Sequence, residues 1–175
     1  VLADGAWVSK LKEGKIEEIR PCICCHNGCF NMAHYKGTSN DQTLSDSLHM
    51  ARCAVNAETM NSKAHFIKKA AHPKNIAVIG GGIGGMEAAR VVALRGHKVE
   101  IYEKSDRLGG VFVPASAASF KGKLRDLLAW YELQMKELGI SVHLHSEVKD
   151  LSSLKADEFV VATGSNPRRF GLKGE

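Results

Sequence analysis

Residues 75–103 read Asn75-Ile76-Ala77-Val78-Ile79, then Gly80-Gly81-Gly82-Ile83-Gly84-Gly85-Met86-Glu87, then on through Ala88 to Gly96-His97-Lys98-Val99-Glu100-Ile101-Tyr102-Glu103. The apolar run Ile76 to Ile79 does not alternate and ends in glycines, the pattern of a strand buried in a parallel sheet. From Ile83 to Leu94, Met86, Ala89, Val92 and Ala93 recur at helical spacing, and Gly96 is placed to end the helix. Lys98 to Tyr102 reads as a second strand. Strand, glycine turn, helix and strand in that order make a βαβ unit.

Working outward, Lys123 to Leu138 is an amphipathic helix, with Leu124, Leu127, Leu128, Tyr131, Met135 and Leu138 on one face, and Gly139 ends it. Ile140 to Leu144 and Glu158 to Ala162 are two further strands. Alternating strands and helices predict an α/β fold, a doubly wound parallel sheet with right-handed crossovers of the Rossmann-like kind, present in part. Upstream, residues 1–20 read as a short helix or loop anchored by Trp7, Val8, Leu11 and Ile16. Residues 21–72 are irregular and rich in Cys, Asn, His and Ser. The division is a cysteine-bearing segment over 1–72 and a Rossmann-like domain over 73–175.

Within the turn, Gly80-x-Gly82-x-x-Gly85 gives each glycine a task. Gly80 permits the tight turn, Gly82 lets backbone approach a pyrophosphate, and Gly85 lets helix and strand pack closely. The helix N-terminus then offers unpaired N–H groups and partial positive charge to phosphates. Glu103 ends the second strand 18 residues after Gly85, where a carboxylate can accept ribose hydroxyls. An acid there repels a 2′-phosphate, so the site suits FAD or NAD rather than NADP.

The chain has five cysteines: Cys22, Cys24, Cys25, Cys29 and Cys53. Four fall between positions 22 and 29, a density awkward for disulfides and natural for a metal site. No export signal is visible, which predicts a reducing, cytoplasmic setting and thiolate ligation. Cys22-x2-Cys25-x3-Cys29 places three thiolates on one loop, and Cys53 returns after 23 residues. Iron–sulfur clusters take four such soft ligands. Zinc takes them too, and His26 or His34 could substitute for one, so spacing alone leaves both metals open. Cys24 reads as a non-ligand beside the site. His97 reads as a surface turn residue, and His143 and His145 as strand neighbours sharing one face.

The chain is 175 residues long with 44% hydrophobic and 25% charged residues, ordinary values for a globular domain. A net charge of +5, scattered among acids, carries no nucleic-acid motif. No apolar run reaches the ~20 residues a membrane span needs.

Arg107-Leu108-Gly109-Gly110 and the closing Val160-Val161-Ala162-Thr163-Gly164-Ser165, together with the glycine turn, resemble the FAD domain of the two-dinucleotide-binding flavoproteins. That resemblance favours FAD. It implies Gly109 and Gly110 near the flavin side of the pyrophosphate, Thr163 and Gly164 close to the cofactor, and the Val148 backbone against adenine. Ile83, Gly84, Lys104, Arg107 and Ala162 complete the candidate cofactor-binding set.

Lys10-x-x-Glu13-Gly14-x-Ile16, Ile19-Arg20-Pro21-Cys22-Ile23, the cysteine run, Cys53-Ala54-Val55-Asn56, the glycine stretch and Ala162 to Pro167 resemble one family more closely. They look like the 2,4-dienoyl-CoA reductase and 2-enoate reductase group, relatives of old yellow enzyme. The resemblance implies a [4Fe-4S] cluster on Cys22, Cys25, Cys29 and Cys53. It implies a parent chain with an FMN-bearing TIM barrel before this segment and an NAD(P)H domain after it, and leaves room for a homo-oligomer. The expected function is an electron relay from NAD(P)H through FAD and the cluster to FMN, for reduction of an activated C=C bond. No catalytic acid, base or nucleophile is expected in this stretch. Two alternatives stand: the ADP-holding structural domain of a trimethylamine dehydrogenase-like amine dehydrogenase, and a zinc-stapled NAD-binding module. Two departures from the group are that the gap between Cys29 and Cys53 is about twice the usual length, which makes the Asn31–Arg52 loop an insertion, and that Cys24 stands where glycine is usual.

Overall fold

The computed structural model describes residues 1–30, 51–61, 65–166 and 171. Of the longer loop expected between Cys29 and Cys53, residues 31–50 lie outside the described residues, as does His34.

Four strands, β1 (Asn75–Ile79), β2 (Lys98–Tyr102), β3 (Ser141–His143) and β4 (Glu158–Val161), form one sheet in the order β3-β2-β1-β4. All three pairings are parallel, with Ile79 level with Tyr102 on one side and Val161 on the other. The helices are α1 (Trp7–Lys12), α2 (Ile83–Leu94), the single turn α3 (Phe112–Ala115) and α4 (Gly122–Glu137). Strand pleating sends Val78, Val99 and Ile101 to one face, where they pack with Met86 and Ala89 of α2 and Leu127, Trp130, Tyr131 and Met135 of α4. Met86, Ile101, Leu127 and Val78 are fully buried; each such side chain contributes about 1.5–3 kcal/mol relative to exposure. Both long helices therefore cover the same face. On the other, Ala77, Glu100 and Tyr102 line a small cavity with Leu154, Lys155 and Ala156 of the β3–β4 connection. That connection carries a 3-10 turn at Leu151–Ser153 where a doubly wound sheet often has a helix.

Both long helices end as their glycines require. Gly96 and Gly139 take φ of +93° and +63°, and the N–H groups of His97 and Ile140 reach back to the carbonyls of Val92 and Met135. This is the Schellman closure.

Three expectations need correction. Val8, Leu11 and Ile16 are 46%, 50% and 62% exposed and Trp7 is only half-buried, so none of the four expected anchors is buried. The N-terminal segment is held instead by buried Asp4, whose carboxylate accepts from the N–H groups of Ala6 and Arg20 and from Lys10 Nζ. On α4 the buried stripe includes Trp130, which the expected face omitted, while Leu124, Leu128 and Leu138 are only half-buried. His145 has left β3: its φ of +53° and its N–H bond to the Ser105 carbonyl place it in a turn. His143 remains on the strand, stacked 4.6 Å from Tyr102 with its ring nitrogen 3.1 Å from Glu100. His97 is half-buried, and its Nδ1 accepts the Lys74 N–H, so it ties the chain before β1 to the turn after α2.

Candidate functional site

The strand order reverses between β1 and β4, and ligands of open α/β sheets bind outside the carboxyl ends of strands at such a point. Gly80 follows β1 there and Ala162 follows β4, joined where the Ala162 N–H donates to the Ile79 carbonyl at 2.8 Å. Position 80, at φ +105°, admits only glycine against this neighbour, because an added Cβ would strike the Ala162 carbonyl and come within 3.2 Å of Thr163 Cα. A Cβ on Gly85 would land on the Gly80 carbonyl oxygen. Gly81, a position outside the three-glycine spacing, is crowded too, by side-chain atoms of Leu108 and Glu103 rather than by backbone.

Gly82 differs. Its φ of −71° suits any residue, and a Cβ there meets nothing within 4 Å. Gly84, in the first turn of α2, is open in the same way. No side chain caps α2; the first helical bond runs from the Met86 N–H to the Gly82 carbonyl, which leaves the N–H groups of Ile83, Gly84 and Gly85 without intrahelical partners. The Ile83 side chain packs against the core, so its contribution to the opening is its backbone.

Gly109 and Gly110 form the second wall. The Gly109 N–H donates to the Gly81 carbonyl at 2.8 Å, and Gly82 and Gly109 form an isolated parallel bridge. Both glycines have positive φ, +109° and +53°. A Cβ on Gly109 would come within 2.8 Å of Val113 and 2.9 Å of Leu128.

Glu103 is 7% exposed, and the turn uses most of its carboxylate. The Gly81 N–H donates to Oε2 at 2.6 Å, and the Ser105 N–H and hydroxyl donate to Oε1 at 2.9 and 2.8 Å. A carboxylate offers about four acceptor positions, so one remains for a ligand hydroxyl. Burial pushes the Glu103 carboxyl up, but the N–H groups of Ser105 and Gly81, the Ser105 hydroxyl and the Lys104 charge outweigh it and hold it below the ordinary glutamate range. Lys104 is exposed, and Arg107 is exposed and forked onto Asp106 at 2.9 and 2.8 Å. Val148 is half-buried in a loop that begins beside Glu103, whose carbonyl accepts the Ser146 N–H. Thr163 and Gly164 are exposed beyond β4, with Gly164 at φ +79°.

Gly80, Gly81, Gly82, Gly85, Gly109, Gly110, Glu103, Ala162 and Thr163 are thus neighbours at the carboxyl ends of β1 and β4. Sequence spacing missed Gly81, Ser105 and Leu108, which shape the turn. The glutamate–serine spacing Glu103-x-Ser105 was the legible signal for one of them.

The cysteine loops lie across α2 and α4. Ile23 and Val55 pack against the core, and the Arg52 N–H donates to the Gly28 carbonyl at 2.6 Å. Gly28 has no room for a Cβ beside Arg52, 2.7 Å from its carbonyl oxygen. This backbone contact puts Cys29 and Cys53 one residue from a shared hydrogen bond. All five cysteines are unbridged thiols, and the Cys24 N–H donates to Cys22 Sγ at 3.3 Å. Cys24 has φ +55°, a conformation glycine favours. Four soft donors on two loops joined by the Arg52–Gly28 backbone bond fit a thiolate-held metal centre in chemistry. The side chains themselves do not converge: among the described residues no group of three or more His, Cys, Asp or Glu is placed to hold a metal. Among those residues, too, no helix is long and apolar enough to cross a membrane.

Comparison with known proteins finds relatives along almost the whole chain. The chain is 39% identical over 176 aligned residues to a cinnamate reductase of Clostridium sporogenes, covering 99% of this chain and 25% of that protein. It is 34% identical to an NADH oxidase of Thermoanaerobacter brockii, covering 99% of this chain and 26% of the relative. The solved structure of a 2-naphthoyl-CoA reductase in complex with 2-naphthoyl-CoA superposes with a TM-score of 0.84 at 32% identity, over 99% of this chain and 25% of that one. The chain thus spans about a quarter of the length of the relatives it matches, and they bear out the resemblance to the enoate reductase group. Residues 49–153 match the pyridine nucleotide-disulphide oxidoreductase family, and with that match over more than half its length the chain belongs to this family.

Proposed function

We propose that this chain is the electron-carrying part of a flavin-dependent reductase, with FAD at the opening after β1 and a [4Fe-4S] cluster on Cys22, Cys25, Cys29 and Cys53. Gly82 carries the reading. Gly80 and Gly85 are glycines because backbone carbonyls leave no room for a side chain, and Gly109 because its φ is +109°, while Gly81 is crowded by the Leu108 side chain. Nothing among the described residues requires glycine at Gly82, so its lack of a Cβ is explained by a ligand that approaches the backbone.

In this reading the free N–H groups of Ile83, Gly84 and Gly85 and the N-terminal dipole of α2 receive the pyrophosphate. Glu103 fixes the turn and offers its remaining acceptor position to a ribose hydroxyl. Gly109 and Gly110 flank the pyrophosphate, Val148 lies toward the adenine, and Ala162, Thr163 and Gly164 close the site from β4. Lys104 and Arg107 sit at its rim. A flavin converts two-electron to one-electron traffic, and a cluster carries one electron at a time. The protein supplies placement: residues 1–72 bring the cysteines against the Rossmann-like unit that begins at residue 73.

The parent enzyme we infer reduces an activated C=C bond of the enoate or enoyl-CoA type, using NAD(P)H. The naming of the cinnamate and 2-naphthoyl-CoA reductases supports that substrate class. An FMN-bearing barrel and a nicotinamide domain would lie in the rest of that chain. The test is the full-length protein purified without oxygen. Two flavins, FAD and FMN, and about four irons per chain are expected, with NADH or NADPH oxidation dependent on an added enoate. FMN alone, with ADP in place of FAD, would instead mark the structural-domain alternative; colourless protein holding zinc would refute the cluster.

A further inference from the structure

We propose that Arg20 is the positioning residue of the cysteine cage, clamping the Cys22 and Cys53 loops to each other and seating both on α2 and α4. The inference rests on the cage proposed above. Arg20 precedes Cys22 by two residues, and one of its guanidinium nitrogens donates to the carbonyl of Val55, two residues after Cys53. A single side chain therefore joins the two cysteine loops within about 7 Å of backbone from each ligand position.

The same group is tied to the Rossmann-like unit. Its guanidinium lies 4.7 Å from the Trp130 ring centroid, within cation–π range, and 4.0 Å from Glu87 of α2. Trp130 Nε1 in turn donates to the Glu18 carbonyl at 2.8 Å, so the indole holds the chain just before Arg20 as well as the guanidinium itself. The Arg20 N–H is fixed by Asp4 at 2.8 Å. Arg20 is 8% exposed. Burying a cation this deeply is costly unless it is paired; Glu87 is already forked onto Arg90 at 2.8 Å, so the close partners of the Arg20 guanidinium are the Val55 carbonyl and the Trp130 ring. Its positive charge, tied from the Cys22 loop to the Val55 carbonyl of the Cys53 loop, would also favour the more negative, reduced state of whatever the cage holds.

The experiment uses the full-length protein, purified without oxygen, as wild type, Arg20→Met and Arg20→Lys. It measures FAD and iron per chain, the rate of iron loss to a colorimetric chelator, and the midpoint potential from the visible band. Arg20→Met is expected to keep its FAD, lose iron about tenfold faster, as support-residue changes at metal sites do, and shift to a lower potential. Arg20→Lys, which keeps the charge and one donor, should restore the potential and part of the retention. Wild-type release rate and potential in Arg20→Met would overturn the proposal. So would parallel loss of FAD and iron with a fall in global unfolding stability, because that is a folding defect. Wild-type protein without iron would overturn the cage itself, a result read before any variant is compared.

Discussion

Gly85 has no side chain because the carbonyl oxygen of Gly80 occupies the place its Cβ would take. Gly82, three residues earlier, faces no such obstacle. The two glycines of one motif therefore answer to different partners, and substitution separates them. Gly85→Ala should destabilise the fold by about 1–3 kcal/mol through overpacking, seen as a lower denaturant midpoint with or without FAD. Gly82→Ala should leave the apoprotein midpoint within about 0.5 kcal/mol of wild type and weaken FAD retention. Equal loss of stability in both would remove the argument that Gly82 serves a ligand.

Glu103 makes the turn sensitive to acid. Burial raises its carboxyl, yet the Ser105 and Gly81 N–H groups, with the Ser105 hydroxyl, outweigh burial and keep it below the ordinary glutamate range in the folded chain. A depressed folded value means the stabilisation is complete above the unfolded value, about 4.3, and fades as pH falls through that value and below it. Urea midpoints measured at pH 7 and pH 4 should converge for wild type and Glu103→Gln as the pH drops. At pH 7 the glutamine variant should be weaker by about 1–3 kcal/mol, the scale for losing charge-assisted hydrogen bonds. A gap that does not shrink in acid would contradict the assignment.

Cys24 is the spare thiol. Its φ of +55° costs a non-glycine residue about 1–2 kcal/mol, so Cys24→Gly should relieve strain while the Cys22, Cys25, Cys29 and Cys53 positions keep their metal. Full iron content in Cys24→Gly, against iron loss in alanine variants at the other four, is the expected pattern. Loss of iron in Cys24→Gly would move Cys24 into the ligand set.

Trp130→Phe removes one hydrogen bond and weakens the ring's hold on Arg20 while filling most of the same space. Amide exchange by mass spectrometry should rise in peptides covering residues 18–23 and remain unchanged over β1 and β2. Uniform protection throughout would mean the segment is held by other contacts, Asp4 foremost.

The sheet and its turn were readable because their signals are local. The unbroken apolar run from Ile76 to Ile79, set directly before glycines, has few readings other than a buried strand, and Gly96 announced the end of α2. The N-terminal segment was misread because period and hydrophobicity at Val8, Leu11 and Ile16 say nothing about which surface will cover them. Its actual ties are polar and distant in sequence, from Asp4 to Arg20 and from Glu18 to Trp130. Trp130 does carry a local clue, three residues after buried Leu127 on the same helical stripe. His145 could not be placed from alternation, because the chain turns toward Ser105 just where the pattern would continue. At the site, glycine spacing located the opening, but the turn's dependence on Gly81 and Leu108 came only from atoms brought together by folding.

Among the described residues β4 hydrogen-bonds to β1 on one side only, and its last residue, Val161, is 65% exposed. A strand edge of this kind invites pairing with another copy. Production of these 175 residues by themselves would therefore be governed by self-association: yield and light scattering would depend on protein concentration before any unfolding transition is reached, and a charged residue in place of Val161 would be the first change to make in such work.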